Sequence, residues 1–336
     1  MSKEESNAIS NYDEIKALKK KYLTAKRELK QVRSRTKRRE LKGYIDDLKI
    51  ELGWTLLDCK EYERGLALYS SVPWRTHGEM KCNGMARALT EMEYYDEARR
   101  LLERGLKRYP DSYALWVAMG GLYESLGDDF EALRCMDIAL QFAQGDNSTG
   151  LYNKFLILTK LGCYGDAVQI IEGLIERYPE NHQYLADRGS CALDMGYPQE
   201  TLGYYQKAMK LWQHSQGVHE GICIYSGLCS AYFELGMKRE AMEIAFEGLK
   251  KFPDEDPILY QNVGATFFQM GWDKKAIEVL KKGIEKFPED EELKQFLKNV
   301  EENIDDPDGG EKPPLLSLIL FLALIHKKMM KRRGEM

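Results

Sequence analysis

Histidine is scarce in this sequence, and the motifs that would build a catalytic site are missing. Only 5 of the 336 residues are histidine, and there is no H-E-x-x-H pair, no nucleotide-binding glycine loop and no nucleophile elbow. The nearest approach to a metal-binding set is His214, His219 and Cys223, which lacks a fourth ligand and fits no zinc spacing. We therefore expect an elongated loop at these residues, no bound metal or cofactor, and a protein that is not an enzyme.

The cysteines give no sign of disulfide bonds. They are odd in number, have no C-x-x-C spacing and mostly fall within apolar helical patterns, which predicts buried free thiols. The first residues also lack the apolar core of a secretory signal, so we expect a cytoplasmic protein that is not secreted. The seven cysteines are Cys59, Cys82, Cys135, Cys163, Cys191, Cys223 and Cys229.

Charge is unevenly distributed along the chain, although the whole carries only −5. Residues 1–43 hold 14 Lys and Arg against 6 Asp and Glu, and residues 312–336 hold 6 against 1. The remaining body holds 29 against 47, a net charge of −18. An acidic body between two basic ends favours a basic or amphipathic peptide as the partner of the body.

One pattern of sixteen residues recurs along the body, an amphipathic helix that ends at a proline. Its clearest copies are YDEARRLLERGLKRYP (95–110), YGDAVQIIEGLIERYP (164–179), KREAMEIAFEGLKKFP (238–253) and DKKAIEVLKKGIEKFP (273–288). Each copy follows a second helical pattern that ends in a glycine or a short polar turn, so two helices form one unit.

These paired patterns resemble the tetratricopeptide repeat family over about residues 46–304. The best match begins at Tyr113 and places the family's residue types at Trp116, Met119, Gly120, Tyr123, Ala132, Met136 and Ala139. The resemblance implies an all-α, right-handed superhelical solenoid of antiparallel helix pairs, in which the first helix of each pair (helix A) lines a concave groove and the second (helix B) lies behind it. It also implies a scaffold that binds other proteins.

The predicted organisation has seven units between two flanking segments. A basic N-terminal helical segment (1–45) precedes the solenoid, and an acidic linker rich in Pro and Gly (305–314) and a hydrophobic tail with a basic end (315–336) follow it. The units lie near 46–78, 79–112, 113–146, 148–181, 182–215, 222–255 and 256–289, and a capping helix covers 291–304.

The motif positions that face the groove are occupied by polar, small and aromatic residues. Asn83 and Arg87 form only a fragment of the lysine and asparagine set with which some family members clamp a C-terminal carboxylate, so we do not expect that activity. The candidate partner-binding residues are Asn83, Arg87, Tyr152, Asn153, Asp187, Ser190, Ser226, Ser230, Tyr260 and Gln261.

The N-terminal segment predicts a basic helix with a narrow apolar seam. The seam follows spacings of three and four residues: Ile15, Leu18, Tyr22, Ala25, Leu29, Val32 and Thr36. One interpretation packs this seam on the first repeat and leaves the Lys and Arg side chains in solvent. The other uses them to bind phosphates, anionic lipids or an acidic protein. An accessory role with nucleic acid or ribonucleoprotein is therefore an alternative function, although no aromatic platform accompanies the helix.

The tail contains an apolar run of 11 residues followed by HKKMMKRR. A helix of that length covers about 17 Å, against roughly 30 Å of bilayer hydrocarbon, so a full span is not indicated. We expect a shallow or re-entrant membrane contact, giving a peripheral or tail-anchored protein, or docking into a protein groove. The apolar residues are Leu315, Leu316, Leu318, Ile319, Leu320, Phe321, Leu322, Leu324 and Ile325.

The sequence thus predicts a non-enzymatic adaptor or scaffold that binds a partner peptide or helix in its groove. A regulatory subunit of a separately encoded enzyme would have the same composition and is the other alternative. Neither the partner nor the oligomeric state is indicated by the residues.

Overall fold

A computed structural model describes residues 3–215 and 218–304 of the chain. All regular secondary structure in these two ranges is helical, which confirms the all-α prediction for them. The chain divides into two compact units, an N-terminal unit that ends at Gly162 and a C-terminal unit that begins at Cys163. The predicted membrane tail lies outside the described residues.

The N-terminal unit contains eight helices within the described residues. They are α1 (Lys3–Gln31), α2 (Arg35–Asp58), α3 (Tyr62–Ser70), α4 (Trp74–Glu91), α5 (Tyr95–Arg108), α6 (Tyr113–Ser125), α7 (Asp129–Gln141) and α8 (Ser148–Lys160). Short turns join α2 to α3, α4 to α5 and α6 to α7, and the two helices of each pair pack on one another.

The C-terminal unit contains a further eight helices within the described residues. They are α9 (Tyr164–Arg177), α10 (His182–Asp194), α11 (Pro198–Ser215), α12 (Val218–Glu234), α13 (Lys238–Lys251), α14 (Ile258–Gln269), α15 (Asp273–Lys286) and α16 (Glu291–Ile304). The pairs are α10 with α11, α12 with α13 and α14 with α15, and the A helices α10, α12 and α14 also pack side by side. Helix α16 packs Leu293, Phe296 and Val300 into the core formed with α14 and α15.

The basic N-terminal segment forms two helices where the seam predicts one. Helix α1 ends at Gln31, and the Ser34 side chain caps α2 by accepting a hydrogen bond from the Lys37 backbone N–H at 3.5 Å. A serine N-cap of this kind starts a new helix, so Val32 and Thr36 do not continue the seam. Up to Leu29 the seam packs on α2, with Ile15, Leu18 and Ala25 buried.

The two kinds of helix end have separate local causes. Helices α5, α9, α13 and α15 each stop at an aromatic residue that precedes a proline, because the proline ring disfavours helical backbone in the residue before it. At the A-to-B turns of the later repeats a glycine takes a positive φ, such as 77° at Gly127. The first two repeats place Lys60 and Glu93 there, at φ 59° and 63°. Lys60 and Glu93 therefore adopt a left-handed backbone conformation that is favourable for glycine and costs energy for residues with a Cβ.

A buried tyrosine clamped between two glycines recurs in both units. Tyr69 of α3 lies against Gly53 of α2 and Gly84 of α4, where added Cβ atoms would meet its ring, at 2.6 Å from Cζ in the case of Gly53. Tyr205 of α11 lies in the same way between Gly189 of α10 and Gly227 of α12. The absence of a Cβ at these glycines lets three helices close around one ring.

Two expectations about cysteines and histidines need correction. Cys163 is exposed and Cys59 is half-buried, so the thiols are not all buried. The predicted elongated loop is also wrong: His214 lies in α11, and His219 and the buried Cys223 lie in α12, whose described part begins three residues after α11 ends. Helix α11 has 18 residues, four more than α9 or α13, and this extra turn takes up much of the long spacing between the fifth and sixth repeats.

Candidate protein-binding surface

Polar side chains form a stripe along the A helices of the C-terminal unit. On α10 they are Asp187, Ser190 and Asp194, and on α12 they are Ser226, Ser230 and Glu234, in each case three or four residues apart and so on one helical face. Gln261 and Asn262 continue this set on α14. We call these eight residues the polar stripe.

Hydrogen bonds tie the polar stripe to its own scaffold. The Asn262 amide on α14 donates to Ser226 Oγ on α12 at 2.8 Å. The Gln183 amide donates to both carboxylate oxygens of Asp187, at 2.9 and 3.1 Å. Ser190 is hydrogen-bonded with the hydroxyl of the clamped Tyr205. The stripe is therefore held in a fixed arrangement, as a recognition surface requires.

The Gln261 side chain has an acceptor that the described structure leaves unsatisfied. Gln261 is 3% exposed, and its Oε1 atom has no hydrogen-bond partner. A buried carbonyl oxygen without a donor costs about 1–3 kcal/mol, and in native proteins such atoms usually have a partner.

Six of the ten predicted partner-binding residues are buried. Small side chains at the stripe let neighbouring A helices approach closely. Four residues are therefore buried between helices: Asp187, Ser190, Ser226 and Ser230. Tyr260 belongs to the hydrophobic core: its ring packs edge-on against Phe287, and its hydroxyl donates to the Pro253 carbonyl at 3.1 Å. Gln261 is the sixth.

The carboxylates at the C-terminal ends of α10 and α12 are more open to solvent than the rest of the polar stripe. Asp194 is exposed and Glu234 is partly exposed. The protein atoms packed around Asp194 desolvate its carboxylate and raise its pKa to about 6, and desolvation also raises the pKa of Glu234. Because desolvation penalises the charged form, each carboxylate would be stabilised by a cation placed beside it.

The three A helices that carry the stripe contain no lysine and a single arginine, Arg188. Its guanidinium turns towards neighbouring B helices, with Nε at 3.1 Å from Glu172 Oε1 and Nη2 at 3.2 Å from Glu200 Oε2. The ring of Tyr204 lies 4.8 Å from its Cζ atom. Arg188 thus pairs with glutamates outside the stripe, and Asp194 and Glu234 form no ion pair within the described residues.

The other four predicted residues lie in the N-terminal unit and form no such stripe. Arg87 is exposed, pairs with Asp58 at 3.2 Å and lies over the Trp54 ring at 5.8 Å. Tyr152 stacks on Phe155, with ring centroids 5.9 Å apart. Asn83 and Asn153 are both half-buried.

Three members of the polar stripe escaped the sequence-based prediction: Asp194, Glu234 and Asn262. The two acids lie four residues beyond Ser190 and Ser230, so the helical spacing contained the signal for them. The role of Asn262 could not be predicted from its own helix, because its hydrogen-bond partner Ser226 lies on α12, 36 residues away in sequence.

Metal-binding clusters and membrane-spanning helices are both absent from the described part of the chain. Residues 3–215 and 218–304 contain no group of three or more His, Cys, Asp or Glu side chains placed to hold a metal ion. No helix in these ranges is long and apolar enough to cross a membrane.

Comparisons with known proteins agree with this architecture. Residues 83–122 match the model of the tetratricopeptide repeat family. A search of curated proteins finds no match to the chain.

Several solved structures have a similar fold at low sequence identity. The APC/C hetero-tetramer Cut9-Hcn1 matches with a TM-score of 0.56 at 14% identity, over 81% of this chain and 57% of the other. A tetratricopeptide repeat protein from Parabacteroides merdae matches with a TM-score of 0.56 at 16% identity, over 76% and 98%. Yeast Tom70 matches with a TM-score of 0.52 at 14% identity, over 87% and 61%. The chain thus spans 57% and 61% of the lengths of the Cut9-Hcn1 and Tom70 chains, and these likenesses establish its fold as a tetratricopeptide repeat fold.

Proposed function

We propose that this tetratricopeptide repeat chain is a non-enzymatic scaffold that holds a basic segment of another protein along the polar stripe of its C-terminal unit. The repeat fold supports the general part of this proposal, since stacked helix pairs present extended surfaces for other proteins. The chemistry of the stripe supports the choice of a basic segment.

The observation that carries the proposal is the one-sided charge of the stripe. It offers the carboxylates of Asp194 and Glu234, while the one arginine of its helices is paired with Glu172 and Glu200. Lysine and arginine side chains of a bound segment would pair with Asp194 and Glu234, the more open acids of the stripe.

The test is fluorescence anisotropy with synthetic 15-residue peptides that differ in net charge. We expect the intact chain to bind basic peptides more tightly than acidic peptides of the same hydrophobicity. Replacing both Asp194→Lys and Glu234→Lys should weaken binding of the basic peptides at least tenfold, because like charges would then face one another across the interface.

A matched variant controls for the overall change in charge. Glu103→Lys with Glu180→Lys alters the net charge equally at exposed residues outside the stripe, and it should bind as the original chain does. Equal weakening by both pairs of substitutions, or a preference for acidic peptides, would contradict the proposal.

We also propose that the apolar run 315–325 and the basic residues after it contact a membrane surface. The support lies in the sequence alone: a run with no polar face must be covered, and lysines and arginines follow it directly. Deleting residues 313–336 should move the protein from the membrane fraction to the soluble fraction of a cell lysate. An unchanged distribution would count against the contact.

A further inference from the structure

The hairpin of α1 and α2 extends beyond the hydrophobic core of the N-terminal unit. The last buried residue of α1 is Ala25 and the first buried residue of α2 is Ile45. The residues between them are exposed, apart from four that are partly buried: Leu29, Val32, Leu41 and Gly43. We call residues 26–42, which enclose the α1–α2 turn, the basic tip.

The basic tip concentrates positive charge that the fold does not neutralise. It contains nine Lys and Arg residues and two Glu residues, Glu28 and Glu40. No ion pair of these basic side chains occurs in the described structure, and the Arg38 guanidinium donates to the Val32 carbonyl at 3.3 Å. The nine are Lys26, Arg27, Lys30, Arg33, Arg35, Lys37, Arg38, Arg39 and Lys42.

The positive side chains of the basic tip repel one another, and an extended anionic surface beside them would reduce this repulsion. All nine side chains are exposed, and they are distributed around the end of a two-helix hairpin. A single anion could contact few of them at once, whereas a surface of many phosphates could contact several together.

Apolar side chains beside the basic tip favour a lipid surface over nucleic acid. Leu23 is 52% exposed on α1 and Tyr44 is 45% exposed on α2, at the two sides of the tip. A leucine gains little from a phosphate backbone, but it enters the boundary between lipid headgroups and acyl chains, where tyrosine is also favoured. Single-stranded nucleic acid is usually held on several aromatic side chains, and the tip itself contains none.

We propose that the basic tip binds the headgroups of an anionic membrane surface and is a lipid contact separate from residues 315–336. This goes beyond the scaffold function, because the tip is remote in sequence from the polar stripe and requires no protein partner. One weak anchor gives only marginal membrane binding, and stable binding usually needs two signals. The tip and the tail together would supply two.

The experiment is vesicle flotation of the full-length protein with phosphatidylcholine vesicles that contain either no phosphatidylserine or 30% phosphatidylserine. The tip variant replaces Arg33, Arg35, Lys37, Arg38 and Arg39 with glutamine and keeps the Ser34 cap. It should bind the anionic vesicles at least tenfold more weakly at 50 mM salt, because each basic residue near an anionic surface adds to the affinity. At 300 mM salt the difference should shrink, because these contacts are screened.

The control variant changes five exposed basic residues far along the chain, Arg239, Lys250, Lys274, Lys281 and Lys298, to glutamine. It has the same net charge as the tip variant and should bind anionic vesicles as the original protein does. Circular dichroism of both variants should show unchanged helix content. Deleting residues 313–336 should leave a weaker binding that still depends on the tip.

Three outcomes would overturn the proposal. The first is anionic vesicle binding that the tip variant retains in full. The second is equal loss in the tip and control variants. The third is binding of RNA or DNA oligonucleotides that depends on the tip when vesicle binding does not. Binding of basic peptides at the polar stripe is measured separately, so failure of the scaffold proposal would not be mistaken for any of these.

Discussion

The two units share a way of packing their helices and differ in what their A helices present. In both, a tyrosine from a B helix is clamped between two A-helix glycines: Tyr69 in the N-terminal unit and Tyr205 in the C-terminal unit. The A helices of the N-terminal unit carry cations that pair within the unit, such as Lys154 with Asp137 at 2.6 Å and Lys160 with Asp129 at 2.5 Å. On the A helices of the C-terminal unit, the Asp194 and Glu234 carboxylates form no ion pair within the described residues.

The comparison separates the positions that fix the repeat from those that are free to vary. A glycine packed against an aromatic ring cannot be replaced by a larger residue without displacing a helix, and both units contain such glycines. The other positions of the A helices carry no such constraint, so Lys154 and Lys160 form ion pairs in one unit while Asp194 and Glu234 form none within the described residues of the other.

The largest effect is expected from the glycines that clamp the two tyrosines. Gly84→Ala and Gly227→Ala each place a methyl group inside a tyrosine ring and should lower the free energy of unfolding by about 2–3 kcal/mol. Guanidinium unfolding followed by circular dichroism measures this. Gly121→Ala is the control, because a Cβ there meets nothing within 4 Å. This substitution should raise the free energy of unfolding by about 0.5–1 kcal/mol. Loss in only one unit would break the claim of a shared core.

A buried lysine tests how the N-terminal unit uses its cations. Lys81 of α4 is 6% exposed, and its Nζ donates to the Ser70 and Val72 carbonyls at 3.1 and 2.7 Å. Desolvation by burial lowers its pKa. Lys81→Met should cost about 2 kcal/mol because these carbonyl groups lose their donor. The exposed Lys107→Met should change the unfolding free energy by less than about 0.5 kcal/mol, and a comparable loss there would show that the hydrogen bonds are not the cause.

The two clamped tyrosines should respond oppositely to loss of the hydroxyl. Tyr69 Oη is buried without a partner, so Tyr69→Phe should be neutral or raise the unfolding free energy by up to about 1 kcal/mol. Tyr205 is hydrogen-bonded with Ser190, so Tyr205→Phe should lower it by about 1 kcal/mol. Thermal unfolding of the two variants in parallel makes the comparison. The same sign in both would mean that the hydroxyl contacts do not distinguish the units.

The smallest effect concerns the pH dependence of the C-terminal unit. The pKa of Asp194 is about 6, above the ordinary carboxyl value. Its contribution to stability is therefore present at low pH and is lost as the pH rises through 6. Asp194→Asn should thus stabilise the chain at pH 7.5, by at most about 1 kcal/mol, because the residue keeps contact with solvent and the solvent partly offsets the desolvation of its charge. The substitution should have little effect on the free energy of unfolding at pH 4. A larger stabilisation at pH 4 than at pH 7.5 would show that the pKa of Asp194 is not raised.

Local signals made the repeat predictable. Apolar residues at helical spacing, a proline after each B helix and small residues where helices cross all lie within one repeat of about 34 residues. The serine cap that divides α1 from α2 was also a local signal. It was obscured because apolar residues on both sides of the turn keep the spacing of a single seam.

Accessibility of the polar stripe could not be predicted in the same way. Ser226 and Gln261 have the composition of a solvated groove, yet both are buried. Their exposure depends on how closely each helix pair packs against the next, and that distance is set by residues of other repeats.

The amino-acid sequence by itself determined the helix pairs, the acidic body and the basic ends of this protein, because each follows from nearby residues or from simple composition. The tertiary structure decided which carboxylates stay open, which glutamine oxygen lacks a donor, and that Tyr260 belongs to the core. These features arise where separate helices meet, as where Asn262 reaches Ser226 across 36 residues. Such contacts depend on the three-dimensional packing of neighbouring repeats, which the residues of a single repeat do not specify.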